Sequence, residues 1–487
     1  MVNIIKIVGR EKEISVLDQM QSSKRAELVA LYGRRRVGKT FLVQQCLSNK
    51  GIYLECAGLK DGSMHDQLTN FIKSFQAVFY PNLLIAIPEN WRDAFELLTQ
   101  EIKQISKSKK VIIFLDEIPW LATKKSRLLQ SLDYFWNTQW SKIPNLKLIV
   151  CGSAASWMLN KLINAKGGLY NRLTKIMLLE PFTLSETKRY LENNGIHLQE
   201  KQILDIYMVF GGIPYYLDQM NRSKSVAQNV NDICFRKDGL LFSEFSRLFK
   251  SLFDAAEVNL MIVMAIAKCR YGVSFKELVK TIGKTVGGRF SERLSELEAA
   301  GLIQKFLPYG RKRRDHYYRI IDEYSMFYLK WIKEIVDGQE IPKSSNYWGQ
   351  ISNTPAWQSW AGYAFEGICK KHADNIVRKL GLGSIGCLIG NWKYIPTHKS
   401  KEVGAQIDLL LDRQDNAISV CEIKYSSKIC SLDKNEAKNL LNKIEVFQKQ
   451  TKTKKQIFLA MITTMGLKRN VWSEDLIHNV IELHDLF

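Results

Sequence analysis

The sequence predicts an α/β protein of several domains, with a parallel-sheet core first and a smaller α/β domain last. Three observations predict it. At 487 residues the chain exceeds what one hydrophobic core ordinarily organises, so roughly two to four domains are expected. Residues 28–47, LVALYGRRRVGKTFLVQQCL, pass from an apolar run through a glycine-bearing loop into a helical pattern. Residues 417–426, AISVCEIKYS, read as a strand that carries Glu422 and Lys424 two positions apart, hence on one face. An unpaired charge taken out of water on a strand costs several kcal/mol, so that placement calls for a partner, a metal or a chemical task.

Composition sets the outer limits. Hydrophobic residues make up 46% of the chain, enough for packed cores and too many for bulk disorder. Nine cysteines occur singly, without C-x-x-C or a histidine pair at ligand spacing, which fits reduced thiols and argues against structural zinc. No apolar run approaches about 18 residues, and MVNIIKIVGREKE lacks a signal-peptide pattern. A cytoplasmic protein with no membrane partner is expected. Seventy lysines and arginines against 49 acids leave a net charge of +21, which suits a polyanionic partner, nucleic acid. A lysine-rich solvated surface is the plainer account of the same excess.

The most specific signal is Gly33-Arg34-Arg35-Arg36-Val37-Gly38-Lys39-Thr40, which fits G-x-x-x-x-G-K-[ST] between an apolar strand and a helix. Glycines let such a backbone curl so that its N–H groups cradle phosphates at a helix N-terminus. Lys39 is expected to reach the β- and γ-phosphates, and the Thr40 hydroxyl to ligate Mg²⁺. VIIFLDEIPWL, from Val111, is an apolar strand ending in two acids: Asp116 to hold Mg²⁺ through water, Glu117 to polarise the attacking water. LKLIVCGS ends at Ser153, a candidate for sensing the γ-phosphate, or simply a turn. GGLYNRL offers Arg172, either a stabiliser of charge on the transferring phosphoryl group, in this chain or a neighbouring copy, or a surface arginine.

With these stretches in view, IVGREKEISVLDQM, YGRRRVGKTFL, FLDEIPWL, CGSAASWM and GGIPYYL resemble the archaeal and bacterial ATPases of the STAND and AAA-like group over about residues 1–240. The resemblance implies an ASCE-type P-loop core over 1–180, with an extra strand between the loop strand and the acidic strand, and a helical lid over 181–250. ATP and Mg²⁺ are the implied cofactors. It also implies that Gly9-Arg10 lies near the nucleotide and that Pro214, within Gly212-Ile213-Pro214, packs against the base.

Residues 251–335 read as three helices and a hairpin. NLMIVMAIAKC, VSFKELVKTIG with Ser274 as a cap, and GGRFSERLSELEAAGLI with Gly287-Gly288 at its start supply the helices. IQKFLPYGRKRRDHYYRII gives two strands around a turn at Pro308-Tyr309-Gly310. That order is what a winged helix-turn-helix looks like, with Arg311, Lys312, Arg313 and Arg314 on a wing able to meet phosphates, DNA favoured. The other account is a module packed between domains with a merely solvated hairpin. Residues 336–355 are polar and proline-bearing, and read as a linker.

Beyond the linker, AWQSWAGYAFEGICKKHA forms a helix with Trp357, Trp360, Ala361, Ala364, Phe365 and Ile368 on its apolar face and Glu366 at the border. In GAQIDLLLDR, alternation sets Gln406, Asp408 and Leu410 on one face. If this strand pairs with AISVCEIKYS, Asp408 and Glu422 converge and share a divalent cation, while Lys424 orients the attacking water. The arrangement resembles the PD-(D/E)-x-K nuclease superfamily over about 356–487, a restriction-endonuclease-like fold. Asp408, Glu422 and Lys424 stand at its core positions, Glu366 at the acid on the preceding helix, and IELHDLF is similar to its closing strand. Gln406 stands where many relatives carry glutamate, which removes one ligand and puts cleavage in doubt. The expectation is therefore an ATPase, possible as a homo-oligomer, whose nucleotide state governs a DNA-directed nuclease-like domain. The alternative is an ATP-dependent switch or DNA-binding protein with an inert nuclease-like module.

Overall fold

The computed structural model describes residues 7–105, 107–164, 169, 171–283, 289–312, 315–338, 346–396 and 403–487. The expected Gly287-Gly288 helix start and Arg313-Arg314 of the basic run fall outside them. The chain divides into two units. The first runs to Pro181 and adds 251–254 and 295–301; the second holds 182–250, 255–294 and 302–487.

The first unit is built on five parallel strands: β1 (Glu27–Tyr32), β2 (Ile52–Ala57), β3 (Val111–Asp116), β4 (Leu146–Gly152) and β5 (Lys175–Leu178), in the spatial order β2-β3-β4-β1-β5. Strands β3 and β4 are buried throughout, which is why they appear in the sequence as unbroken apolar runs. Helix α1 (Glu11–Ser22) precedes the sheet, and α2 (Lys39–Leu47) starts at the end of the glycine loop. Ser63 and Asn90 cap α3 (Met64–Phe79) and α4 (Trp91–Gln104). Phe71, Trp91, Phe95, Phe135 and Trp140 pack ring to ring, with centroids 5.2–6.1 Å apart. The strand expected between the loop strand and the acidic strand is β4, inserted in space between β1 and β3.

In the second unit, α5 (Leu184–Asn193) and α6 (Glu200–Phe210) are followed by a short helix, Pro214–Leu217. Helix α7 (Ala256–Ala267) leads to a small antiparallel sheet, β6 (Val273–Ser274), β7 (Ile303–Phe306) and β8 (Tyr317–Ile320), ordered β6-β8-β7. Ser274 caps the following turn by accepting from the Glu277 N–H. A helix also spans Phe290–Ala299, of which residues 295–299 belong to the first unit. The last layer is a mixed sheet: β9 (Cys387–Tyr394), β10 (Ala405–Arg413), β11 (Ala417–Lys424), β13 (Gln456–Thr463) and β15 (Asn479–Glu482), ordered β15-β13-β11-β10-β9. A two-stranded pair, β12 (Cys430–Ser431) and β14 (Leu467–Lys468), stands apart from it. Helices α8 (Pro355–Lys371) and α9 (Lys434–Thr451) flank the main sheet.

Three expectations change. The linker expected over 336–355 contains a helix at Tyr347–Ile351, whose Trp348 is buried against Phe235, Phe327 and Trp357 at 4.9–5.5 Å. Polar residues around one tryptophan hid an anchor. The hairpin turn is docked rather than merely solvated: the Tyr309 N–H donates to the Asn391 carbonyl at 2.8 Å, and its ring packs on Phe447. IELHDLF contributes only Ile481 and Glu482 to a strand, because Leu483–Leu486 turns into a 3-10 helix that buries Leu483 and Leu486. Among the described residues no helix is long and apolar enough to cross a membrane.

Candidate functional site

The glycine loop leaves the C-terminal end of β1 and is shaped by positive φ at Gly33 (150°), Arg36 (71°) and Gly38 (93°). A Cβ on Gly33 would stand 2.3 Å from the Leu179 carbonyl oxygen, so only glycine fits there. At Gly38 nothing lies within 4 Å of such a carbon. The buried Lys39 ammonium donates to the carbonyls of Gly33 and Arg34, both at 3.0 Å, which folds the loop back over its own lysine. The Thr40 hydroxyl donates to Asp116 Oδ2 at 2.6 Å, joining the start of α2 to the tip of β3. Glu117 adopts φ 46°, a strained conformation that costs on the order of 1–3 kcal/mol and turns its side chain toward the end of β4. There the Ser153 N–H and hydroxyl both donate to Glu117 Oε2 at 3.0 Å. Arg10, buried and at φ 66° beside Gly9 at the same angle, donates from Nη2 to the Val37 carbonyl at 3.3 Å. Arg34 is buried beside Lys39, while Arg35 is half-buried. The structure thus brings Gly9, Arg10, the loop from Gly33 to Thr40, Asp116, Glu117 and Ser153 to one end of one sheet.

A family model described as an ATPase domain predominantly from Archaea matches residues 7–220. These residues form a P-loop ATPase domain. An uncharacterised protein of Methanocaldococcus jannaschii is 25% identical over 438 residues, 86% of this chain and 87% of that protein. An uncharacterised ATP-binding protein of the same organism is 44% identical over 52 residues, 11% of this chain and 88% of its own length. Among solved structures, a Walker-type ATPase of Pyrococcus abyssi is similar with a TM-score of 0.46 at 20% identity, over 66% of this chain and 96% of that one. The ORC2 protein of Aeropyrum pernix, in its ADPNP–ADP complexes, reaches 0.45 at 13% identity, over 68% and 95%.

In this ATPase domain, Arg172 does not join the loop of its own chain. It is exposed and precedes β5, whose entry is tied to β1 by the Thr174 N–H donating to the Leu28 carbonyl, at the opposite end of β1 from the loop. Pro214 lies in the second unit, where it opens its short helix just after Gly212, whose carbonyl accepts from the Phe182 N–H at 2.8 Å.

The second unit gathers the other candidates. Strands β10 and β11 pair antiparallel with Leu409 opposite Cys421, and continuing that register sets Asp408 opposite Glu422. Burial, then the Glu422 charge, hold the Asp408 carboxyl above its usual range. Glu366 on α8 is pushed up to about 7, by burial first and then by Asp408. Three carboxylates therefore share one neighbourhood, but cations answer them. Glu422 accepts from Lys443 of α9 at 2.6 Å and pairs with Lys424 at 3.3 Å. Burial opposes charge on Lys424, yet Glu422 outweighs it and keeps the ammonium pKa above the ordinary lysine value. Lys370 lies 3.7 Å from Glu366, and Gln406 donates to Asp408 at 2.7 Å. Among the described residues no three acidic, histidine or cysteine side chains converge to hold a metal. Glu422 and Asp408 are hydrogen-bonded or ion-paired to lysines and an amide, whereas Glu366 Oε2 has only the Lys370 ammonium near it, beyond hydrogen-bond distance. Sequence reasoning missed Lys443 and Lys370, since one lysine on an amphipathic helix looks like any solvated lysine.

Proposed function

We propose that the protein is a Mg²⁺-dependent ATPase whose nucleotide state governs a nucleic-acid-engaging second unit. The observation that carries the ATPase half is the Thr40–Asp116 contact of 2.6 Å beside the Lys39 cage. A hydroxyl and a carboxylate at that spacing fit the direct and water-mediated ligands of Mg²⁺, and the open space at Gly38 fits a phosphate. When bound, Mg²⁺ supplies charge neutralisation at the transferring phosphoryl group. In this reading Lys39 exchanges loop carbonyls for phosphate oxygens, and the loop's backbone N–H groups receive the rest. Glu117, held by Ser153, takes the position of the group that orients the attacking water. Arg10 shapes the loop from outside through Val37. Homo-oligomer formation, through which an exposed Arg172 would serve a neighbour's nucleotide, is part of the same reading.

For the second unit, the lysines paired with Glu422 and Glu366 stand where a metal would have to sit, which argues against metal-dependent cleavage, and the net charge of +21 supports binding of a polyanion, nucleic acid. The residues as arranged do not fit a resident metal, so no cleavage step is assigned to Asp408, Glu422 or Lys424. The test is ATP turnover and labelled-DNA integrity for wild type and Lys39→Ala in Mg²⁺. We expect turnover to fall at least a hundredfold in Lys39→Ala, on the order of 3 kcal/mol of transition-state stabilisation, with DNA intact in both. Equal turnover in the two proteins sinks the ATPase mechanism; wild-type cleavage sinks the binding assignment for the second unit.

A further inference from the structure

The middle module meets the C-terminal layer at a cleft. Its volume is about 220 Å³, and it is lined by Arg270 and Tyr271 from the turn after α7, by Ser359, Tyr363 and Glu366 of α8, and by Lys424 at the end of β11. All six lie within the second unit. Arg270 Nη1 donates to the Ser359 hydroxyl at 3.2 Å, which commits one of five guanidinium donors and orients the group along α8. Tyr271 is 44% exposed, with the Lys393 ammonium 4.4 Å from its ring centroid. Glu366 Oε2, also in the lining, is buried without a hydrogen-bond partner, its ion-paired Lys370 ammonium standing 3.7 Å away. Buried polar atoms of this kind are almost always satisfied, so this oxygen calls for a hydrogen donor.

We propose that this cleft binds one nucleotide, with its phosphate between Arg270 and Lys424, its base against Tyr271, and a base or sugar donor on Glu366. The inference rests on the nucleic-acid reading of the second unit and adds its site. A bare phosphate would meet Arg270 and Lys424, the latter already paired with Glu422, but would leave Glu366 facing an anion and most of the space unused. At roughly 30 Å³ for each water, the cleft holds about seven waters, room for a sugar or base as well. An exposed ring is also what stacks on a base, since every base presents a π-face. The module between the ATPase and the C-terminal layer is then a part of the binding site, and its hairpin turn, pinned through Tyr309, is a fastening.

A single-stranded oligonucleotide and a free mononucleotide offer the same chemistry, so the experiment uses both. Full-length protein is titrated with a fluorescein-labelled single strand and, separately, with mant-AMP, beside Arg270→Ala, Tyr271→Ala, Tyr271→Phe and Arg311→Ala. Melting curves and ATP turnover confirm that each variant is folded. We expect Arg270→Ala and Tyr271→Ala to weaken strand binding about tenfold or more, in line with ~1–3 kcal/mol for one stacked base, while Tyr271→Phe and Arg311→Ala bind like wild type. Strand binding unchanged in Arg270→Ala and Tyr271→Ala overturns the cleft and leaves the nucleic-acid reading standing. Mant-AMP binding that depends on Arg270, with no strand binding, upholds the cleft and overturns that reading. Binding of neither probe by wild type overturns both.

Discussion

At the scale of single residues, two loop glycines fail for different reasons when a methyl group is added. At Gly33 the new carbon would press 2.3 Å from the Leu179 carbonyl oxygen, a backbone atom that moves only with the chain after β5. At Gly38 it would meet nothing within 4 Å, and the penalty is the left-handed backbone alone, about 1–2 kcal/mol. Gly33→Ala should therefore lower the melting temperature of the ATPase domain and its nucleotide retention together. Gly38→Ala should change melting by only a few degrees and still abolish retention if, as proposed, the phosphate lies at Gly38. Differential scanning fluorimetry with and without MgATP separates the two, and equal melting shifts refute the distinction. The motif made both glycines visible in the sequence, but Leu179 lies 146 residues from Gly33, and no local pattern links them. Ser153 was visible as a polar residue after a strand, while its grip on Glu117 depends on β4 lying beside β3.

At the scale of elements, the buried runs of β1, β3 and β4 and the apolar face of α8 were legible because burial on both sides, or on one stripe, writes itself as composition and periodicity. Joints between elements were not. His372, just after α8, is an example: its Nε2 accepts from the Leu184 N–H at 3.1 Å and its Nδ1 stands 2.9 Å from the Ile368 carbonyl, so the neutral ring bridges α5 and α8. Burial lowers its pKa from the ordinary imidazole value to about 4. The unfolded chain then binds the extra proton first, so stability contributed by the neutral ring is complete above pH 6.5 and is lost as pH falls toward 4. The full loss is about 3 kcal/mol. His372→Gln keeps an acceptor without the titration. Urea melts of the second unit between pH 7 and pH 4.5 should show a smaller decline for His372→Gln than for wild type, and parallel declines would remove His372 as the cause.

At the scale of the molecule, the residues expected as lid, winged module, linker and C-terminal domain cluster together in the second unit, apart from 181, 251–254 and 295–301. Specific contacts tie these segments to one another. His372 ties α5 to α8. Lys201 on α6 donates to Asp205 and to the Tyr425 hydroxyl, both at 2.6 Å, and Tyr425 donates to Asp205 at 2.9 Å, so the lid helix grips the residue next to Lys424. Tyr309 fixes the hairpin to β9, and Trp348 seals the segment expected to be a linker. Residues joined through shared partners unfold together, so the second unit should melt as one transition. Calorimetry of the full chain should show two transitions, with MgATP raising the one that belongs to the first unit, which holds the glycine loop, by about 2.7 kcal/mol at a hundred times Kd. Tyr425→Phe removes a hydroxyl that both donates and accepts, leaving Lys201 and Asp205 paired with each other alone. It should lower the whole second transition by roughly 1–2 kcal/mol without splitting it. A separate early transition for residues 356–487 would mean that the joints are surface contacts between independent domains, and Tyr425 could then carry no signal from the helix that follows the ATPase core to the strand that bears Lys424.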